Sequence, residues 1–187
     1  MDSDLSSEWC AVFIDGGYLA KVLKNEFGEV RIDFLRLSEK ICPGKRLRTY
    51  YYNAPPYQGS PPTPEEKERY QKAMRFFNYI DRLERFEVVY GKTVKRYTSD
   101  GKEYFTQKGV DVRLAVDLVR LSWAGHIKIA VLVAGDNDFV PAVKTAKDAG
   151  VIVRLYYSKD SSSDELISAV DEAKEITWEL IKECTRH

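Results

Sequence analysis

Histidine is nearly missing from this chain. The 187 residues hold only His126 and His187, and with His187 at the end of the sequence an acid–base mechanism run by a histidine pair is not expected. Cysteine is scarce as well. Cys10, Cys42 and Cys184 are odd in number and far apart, which excludes a disulfide framework and zinc-ligand spacing. A cysteine nucleophile would also lack a histidine beside it. Such cysteine usage suits a reducing compartment, so a cytoplasmic location is expected. No apolar stretch nears the roughly 18 residues of a membrane span. Met1 to Glu8 is polar and acidic rather than a secretory signal. Net charge is missing too: Lys and Arg total 29, and so do Asp and Glu. Overall charge therefore argues neither for nor against a nucleic-acid partner. No Gly-x-Gly-x-x-Gly and no complete Gly-x-x-x-x-Gly-Lys-Ser/Thr loop is present, so the usual glycine-rich phosphate cradles are excluded.

What remains is a soluble globular composition, 44% hydrophobic and 31% charged. At this length one domain with a sizeable core is the simplest organisation, expected over residues 9–187 behind a flexible segment 1–8. There is no internal repeat and no low-complexity segment.

The apolar pattern alternates between strands and helices. Residues 9–15 read as a strand, Gly16-Gly17 as a turn, and Tyr18 to Phe27 as a helix. Asp33 caps a short helix carrying Phe34, Leu35, Leu37 and Ile41, which Pro43-Gly44 breaks. Arg46 to Asn53 is aromatic and β-prone. Five prolines between Ala54 and Pro64 mark an exposed loop. Thr63, Pro64 and Glu66 then form the cap, first position and capping-box partner of a long helix reaching about Leu83. Its core face would be Tyr70, Ala73, Met74, Phe77 and Ile80. Phe86 to Gly91 is a strand, and residues 94–107 form a hairpin about Ser99-Asp100-Gly101. The spacing predicts a helix over Asp111 to Trp123 with Val112, Ala115, Val116 and Val119 inward and Leu118 as a further candidate for that face. A βαβ unit follows: strand 127–134, helix 138–149 and strand Val151 to Tyr157. Helices over Ser163 to Val170 and Trp178 to Cys184 complete the chain. This alternation predicts a three-layer α/β/α sandwich around a mainly parallel sheet, with the β-hairpin as an insertion.

Acids stand where two of these strands end. Ala11-Val12-Phe13-Ile14 runs straight into Asp15, and Val131-Leu132-Val133-Ala134-Gly135 runs into Asp136-Asn137-Asp138. Ligands of open α/β sheets bind beyond the carboxyl ends of strands, and clustered carboxylates repel unless a cation neutralises them. Capping is the bland alternative for the second pair. Asp138 is the better cap candidate, because it places Pro141 in the first helical turn. Asp15 follows four apolar residues and needs a buried partner. Asp111 opens the helix after the hairpin and Asp117 lies mid-helix, about 120° away around its axis, so the two should not face one site; Asp117 is expected either to hold a Lys or Arg partner or to be a partly buried acid of the site.

These residues give the chain a resemblance to the NYN domain, a branch of the PIN-like nucleases, and most to its LabA-like subgroup. The matching motifs are Phe13-Ile14-Asp15-Gly16, then Lys108-Gly109-Val110-Asp111-Val112 with Asp117, and Ala134-Gly135-Asp136-Asn137-Asp138-Phe139. The resemblance implies a PIN-like fold and metal-dependent cleavage of RNA. Asp15, Asp111, Asp136 and Asp138 would be the catalytic acids and ligands of Mg²⁺ or Mn²⁺, supported by Asp117 and Asn137. Two ions about 3.5–4 Å apart would activate water and neutralise the phosphate, with Asp15 and Asp136 anchoring the first. One position departs from the family: Tyr18 stands where an Asn is common. That departure admits a second reading, a PIN-like domain that binds RNA or a protein without turnover. A haloacid-dehalogenase-type phosphatase needs another Asp where this chain has Gly17, and a phosphate-accepting receiver domain distributes its acids differently.

The expected partner is single-stranded RNA. Lys92, Lys95 and Arg96, interleaved with Tyr97, Tyr104 and Phe105, make the hairpin a candidate clamp through phosphate contacts and stacking faces. The alternative is an ordinary solvated hairpin. Lys108 and Arg113 flank Asp111 and are better placed to meet a phosphate. The aromatic-rich termini make a homodimer possible to build.

Overall fold

The computed structural model describes residues 5–186. Six strands form one parallel sheet: β1 (Trp9–Asp15), β2 (Lys45–Asn53), β3 (Phe86–Tyr90), β6 (Ile129–Val133), β7 (Ile152–Tyr157) and β8 (Glu172–Glu175). Their spatial order is β3-β2-β1-β6-β7-β8. β4 (Lys92–Tyr97) and β5 (Glu103–Lys108) make a separate antiparallel hairpin. The helices are α1 (Gly16–Glu26), α2 (Phe34–Ile41), α3 (Pro64–Asp81), α4 (Val110–Trp123), α5 (Val140–Asp148), α6 (Asp164–Ala169) and α7 (Trp178–Glu183). This is the α/β/α sandwich that the alternating pattern predicts.

The layers follow from the two-residue period of a strand. On β1, Cys10, Val12 and Ile14 enter a core shared with Leu19 and Val22 of α1, Leu37 and Ile41 of α2, Phe77 and Ile80 of α3, and Ile181 of α7. Ala11 and Phe13 point the other way, onto Leu114 and Leu118 of α4, Val143 of α5 and Leu166 of α6. β6 is buried along its whole length, as a central parallel strand with both faces covered should be. The capping box of α3 is formed as expected: Thr63 Oγ1 accepts from the N–H of Glu66, and Glu66 Oε2 accepts from that of Thr63.

Several expectations need correction. The helix after β1 starts at Gly16, not Tyr18, because the two glycines lie within its first turn. A Cβ on Gly16 would sit 2.4 Å from the Tyr51 ring, so the glycine allows α1 to close against β2. On α4 the buried stripe is Val110, Leu114, Leu118 and Leu121. Val112 and Val116 are 66% and 56% exposed. α3 is held by Phe77 and Ile80, with Ala73 and Met74 only partly buried. Strand β8 was not expected at all, being charged along its length; it pairs with β7 and its Glu172 bonds Arg154. Of the segment expected to be flexible, residues 1–4 lie outside the described residues. Leu5 packs against the first core, and its carbonyl accepts from the N–H of Glu8 at 3.1 Å.

The sheet order places β1 and β6 side by side while their connections run to opposite edges. β1 leads outward to β2 and β3, and β6 to β7 and β8. That is the topological switch point of a doubly wound sheet, where a crevice opens beyond the strand ends.

Candidate active site

Asp15 and Asp136 stand at the two sides of that crevice. Asp15 is the last residue of β1 and the N-cap of α1; its Oδ1 accepts from the N–H of Tyr18 at 2.9 Å. The partner that the sequence did not reveal is therefore the open end of the next helix, whose first N–H groups are free to bind an anion. Asp136 follows β6 and caps a 3-10 turn, Asn137–Phe139, through a 2.9 Å bond from the N–H of Asp138. Asp136 therefore caps the 3-10 turn, and neither acid caps α5, whose N-cap is Phe139 with no side-chain bond; Pro141 still falls in the first turn of that helix.

A cavity of about 520 Å³ lies between them, lined by Asp15, Tyr18, Lys21, Asp111, Asp136 and Asn137 together with Gly17, Gln107, Gly135, Ser161 and Ser163. Asp111 reaches it from the first turn of α4. Asp138 lies outside the lining but close enough that its charge raises the pKa of Asp111. Burial pushes the Asp15 carboxyl up to about 6, aided by the charges of Asp111 and Asp136 and opposed by the N–H groups of Tyr18 and Gly17. Burial also raises Asp111, with Asp136 and Asp138 adding to it. Asp15 therefore feels Asp111 and Asp136, and Asp111 feels Asp136 and Asp138, across a common mouth. They do not form a closed cage: among the described residues no three His, Cys, Asp or Glu side chains are gathered to hold a metal ion. Asp15 and Asp136 each spend an oxygen on a neighbouring N–H, and mutual repulsion favours their separation.

Asp117 is elsewhere. Its Oδ2 accepts from the hydroxyl of Tyr52 at 3.0 Å, and its Oδ1 accepts from Nε and Nη2 of Arg120 at 3.3 and 3.0 Å. It ties α4 to β2, and the angular argument separating it from Asp111 holds. Tyr18 does line the cavity. Its hydroxyl accepts from the N–H of Ser158 at 2.7 Å and lies 2.7 Å from Ser162 Oγ, so it pins the loop that carries Ser161 and Ser163. Its ring covers Gly135, where a Cβ would come within 2.4 Å of both that ring and the Ser161 carbonyl.

None of Lys92, Lys95, Arg96, Lys108 and Arg113 lines the cavity. The hairpin register pairs Lys92 with Lys108 and Arg96 with Tyr104, placing all four on one face. Lys95 belongs to the opposite face, where it pairs with Glu103 and lies over the rings of Tyr57 and Tyr97. The residues of that opposite face meet the proline-rich loop and the end of β2: Thr93 Oγ1 donates to the Pro55 carbonyl at 2.6 Å, and Gln107 Nε2 to Asn53 Oδ1 at 3.2 Å. The cavity's cation is instead Lys21, one turn into α1. Sequence reasoning missed Lys21, Gln107, Ser161 and Ser163. Lys21 carries one signal in hindsight, since it lies six residues past a strand-end Asp, on the helix that Asp15 caps.

No helix among the described residues is long and apolar enough to cross a membrane. A crystal structure of a protein of unknown function from Vibrio parahaemolyticus RIMD 2210633 is 17% identical, with each chain covered over 100% of its length and a TM-score of 0.63; it shares the fold. A nucleoside kinase from Burkholderia thailandensis, solved with inosine, is 12% identical over 92% of this chain and 69% of its own, and its TM-score of 0.32 does not establish a common fold. No curated protein matches the sequence. The profile of the NYN domain matches residues 10–177, a span that holds both strand-end acids, the hairpin and all of the six-stranded sheet but Trp9: the chain belongs to the NYN domain family, which is a family of PIN-like nucleases.

Proposed function

We propose that this chain, in the LabA-like branch of its family, is a metal-dependent ribonuclease that hydrolyses phosphodiester bonds of single-stranded RNA. One observation carries the reading. Asp15 is recessed at the switch point with no cationic side chain paired to it among the described residues, and burial raises its proton affinity, with two further acids of the same cavity adding to it. A site of that kind is stabilised by taking up positive charge.

The donor set is all carboxylate oxygen, which suits Mg²⁺ or Mn²⁺. Asp15, Asp111 and Asp136 would hold the ion, with Asp138 at the outer edge. Mg²⁺ commonly keeps several waters and takes only one or two carboxylates plus substrate phosphate, so acids spread around a mouth fit it without a closed cage. When bound, such an ion supplies activation of water and neutralisation of charge developing on the phosphate. The chain's own residues then position. The N–H of Tyr18 holds the Asp15 carboxylate in place, and that of Asp138 holds Asp136. Lys21 meets a phosphate oxygen across the cavity. The hydroxyls of Ser161 and Ser163 border the path of the strand. Arg113 on α4 extends phosphate contact beyond the mouth, whereas Lys92, Arg96 and Lys108, on the hairpin face opposite the cavity-lining Gln107, would meet only a strand that wraps past the hairpin.

The test is incubation with single-stranded RNA and Mg²⁺ or Mn²⁺, beside Asp136→Asn and an EDTA control. Cleavage by the wild type alone, abolished by EDTA, is the expected result. Equal cleavage by both proteins, or binding with no cleavage, overturns the reading.

A further inference from the structure

A second cavity, about 670 Å³, opens on the other side of α1. Its inner wall is aromatic: Phe34, Tyr51, Phe76 and Phe77 meet one another at ring-centroid distances of 5.5 to 6.4 Å. Its rim carries Lys24, Arg31 and Arg186 against one acid, Glu29, which Lys24 approaches at 3.8 Å. That leaves two positive charges in excess, the reverse of the acidic cavity next door. The two share walls. Leu19, Ala20, Leu23 and Lys24 of α1 face the aromatic cavity, while Gly17, Tyr18 and Lys21 face the acidic one. Asn53 lines the first and accepts a hydrogen bond from Gln107, which lines the second.

An apolar hollow with flat walls, a basic rim and a polar amide at its edge matches a nucleobase on its phosphate chain. Bases stack on aromatic side chains, and phosphates meet Lys and Arg; the Asn53 oxygen is taken by the N–H of Ala54 and by Gln107, so its Nδ2, which also reaches the Tyr51 hydroxyl, is the group left to meet the base edge. Cavities of this size commonly take a small organic ligand. We infer that this cavity receives an unpaired base of the RNA strand whose neighbouring phosphodiester lies at the acidic cavity. The inference rests on the reading of the acidic cavity as the phosphodiester site. It makes unpaired RNA the substrate, since a base within a duplex cannot turn into the hollow.

The test is binding of a fluorescein-labelled single-stranded RNA in EDTA, followed by anisotropy, so that no turnover is needed. Ala20 is exposed on α1 and borders the hollow, so Ala20→Trp fills the mouth while leaving the core alone. Loss of one stacked base should weaken binding about tenfold. Lys24→Glu, at another exposed position, should weaken it too and flatten its salt dependence. A 4-thiouridine strand should crosslink to wild-type residues 64–81 and not to those of Ala20→Trp. Wild-type affinity and unchanged crosslinking in both variants overturn the base site. Cleavage at the wild-type rate by Ala20→Trp, with unchanged KM, overturns it while leaving the nuclease standing. Tight, Ala20-sensitive binding without any cleavage keeps the base site and removes the nuclease.

Discussion

The backbone N–H of Ser158 ends on the phenolic oxygen of Tyr18, 2.7 Å away. Ser158 is 1% exposed, so no water replaces that acceptor if it goes. Tyr18→Phe should cost about 1–3 kcal/mol, the range for a buried donor left unsatisfied. The damage should be local. Amide exchange should speed up at 158–163 and spare β1 and β6, and RNA cleavage should fall because Ser161 and Ser163 line the cavity from that loop. Exchange mass spectrometry decides it: unchanged protection across the loop would sink this role for Tyr18.

Asp15 should make the fold less stable as pH rises. An Asp ordinarily titrates at 3.8, and in this fold Asp15 is pushed up to about 6. Between those values the folded chain holds a proton that the unfolded chain has released, so stability falls from pH 4 to about 6 and then stays at its lower level. Asp15→Asn removes that penalty and keeps an oxygen for the N–H of Tyr18. In EDTA at neutral pH the variant should be more stable by about 1–3 kcal/mol, and the gap should close below about pH 4. A variant less stable than the wild type at both pH values would refute the electrostatic account.

Metal should reverse that penalty. A ligand at 100 times its Kd stabilises by ~2.7 kcal/mol, which for a chain of this length is a rise in Tm of about 5–10 °C. Wild-type protein in Mg²⁺ or Mn²⁺ should show that rise over EDTA, and lose it below about pH 6 as Asp15 takes up its proton. Asp15→Asn and Asp136→Asn should show little of it. Equal shifts in all three proteins would place the ion elsewhere.

How far the sequence was legible depended on whether a signal was local. Strand-end acids are local: a run of Val and Ile ending in Asp announces both the strand and its exposed end, which is why Asp15 and Asp136 stand where expected. The α4 face was not. Val110, Leu114, Leu118 and Leu121 form one helical stripe, and Val112, Ala115, Val116 and Val119 form another. Both match the 3.6-residue period; packing against the sheet selects the first and the near edge of the second, Ala115 and Val119, and leaves Val112 and Val116 exposed. β8 carried no signal, because an edge strand of Glu-Ala-Lys-Glu gains its order from pairing with β7 rather than from burial. Lys21, Gln107 and Ser161 come from three elements that meet only in space. Alternation along the hairpin already parts Lys95 from Lys92 and Arg96; which of the two faces meets the proline-rich loop is fixed only by tertiary contacts.

The sharpest comparison lies within α4. Asp111 and Asp117 are six residues apart on one helix; one lines the acidic cavity, while the other is held by Tyr52 and Arg120. Tyr52 is fully buried, and burial together with the Asp117 charge raises its pKa, so its hydroxyl stays a donor. Asp117→Asn keeps an acceptor for Tyr52 but loses the charge that holds Arg120. It should cost about 1–2 kcal/mol and leave cleavage near wild type when assayed well below Tm. Asp111→Asn should do the opposite. Removing a partly desolvated carboxylate beside two other acids costs the fold little, whereas losing a group that acts on the transition state slows cleavage by about 100-fold or more. Paired melting curves and single-turnover rates for the two variants would settle the division. If Asp117→Asn proved inactive at full stability, the carboxylate tied to Tyr52 would belong to the chemistry after all.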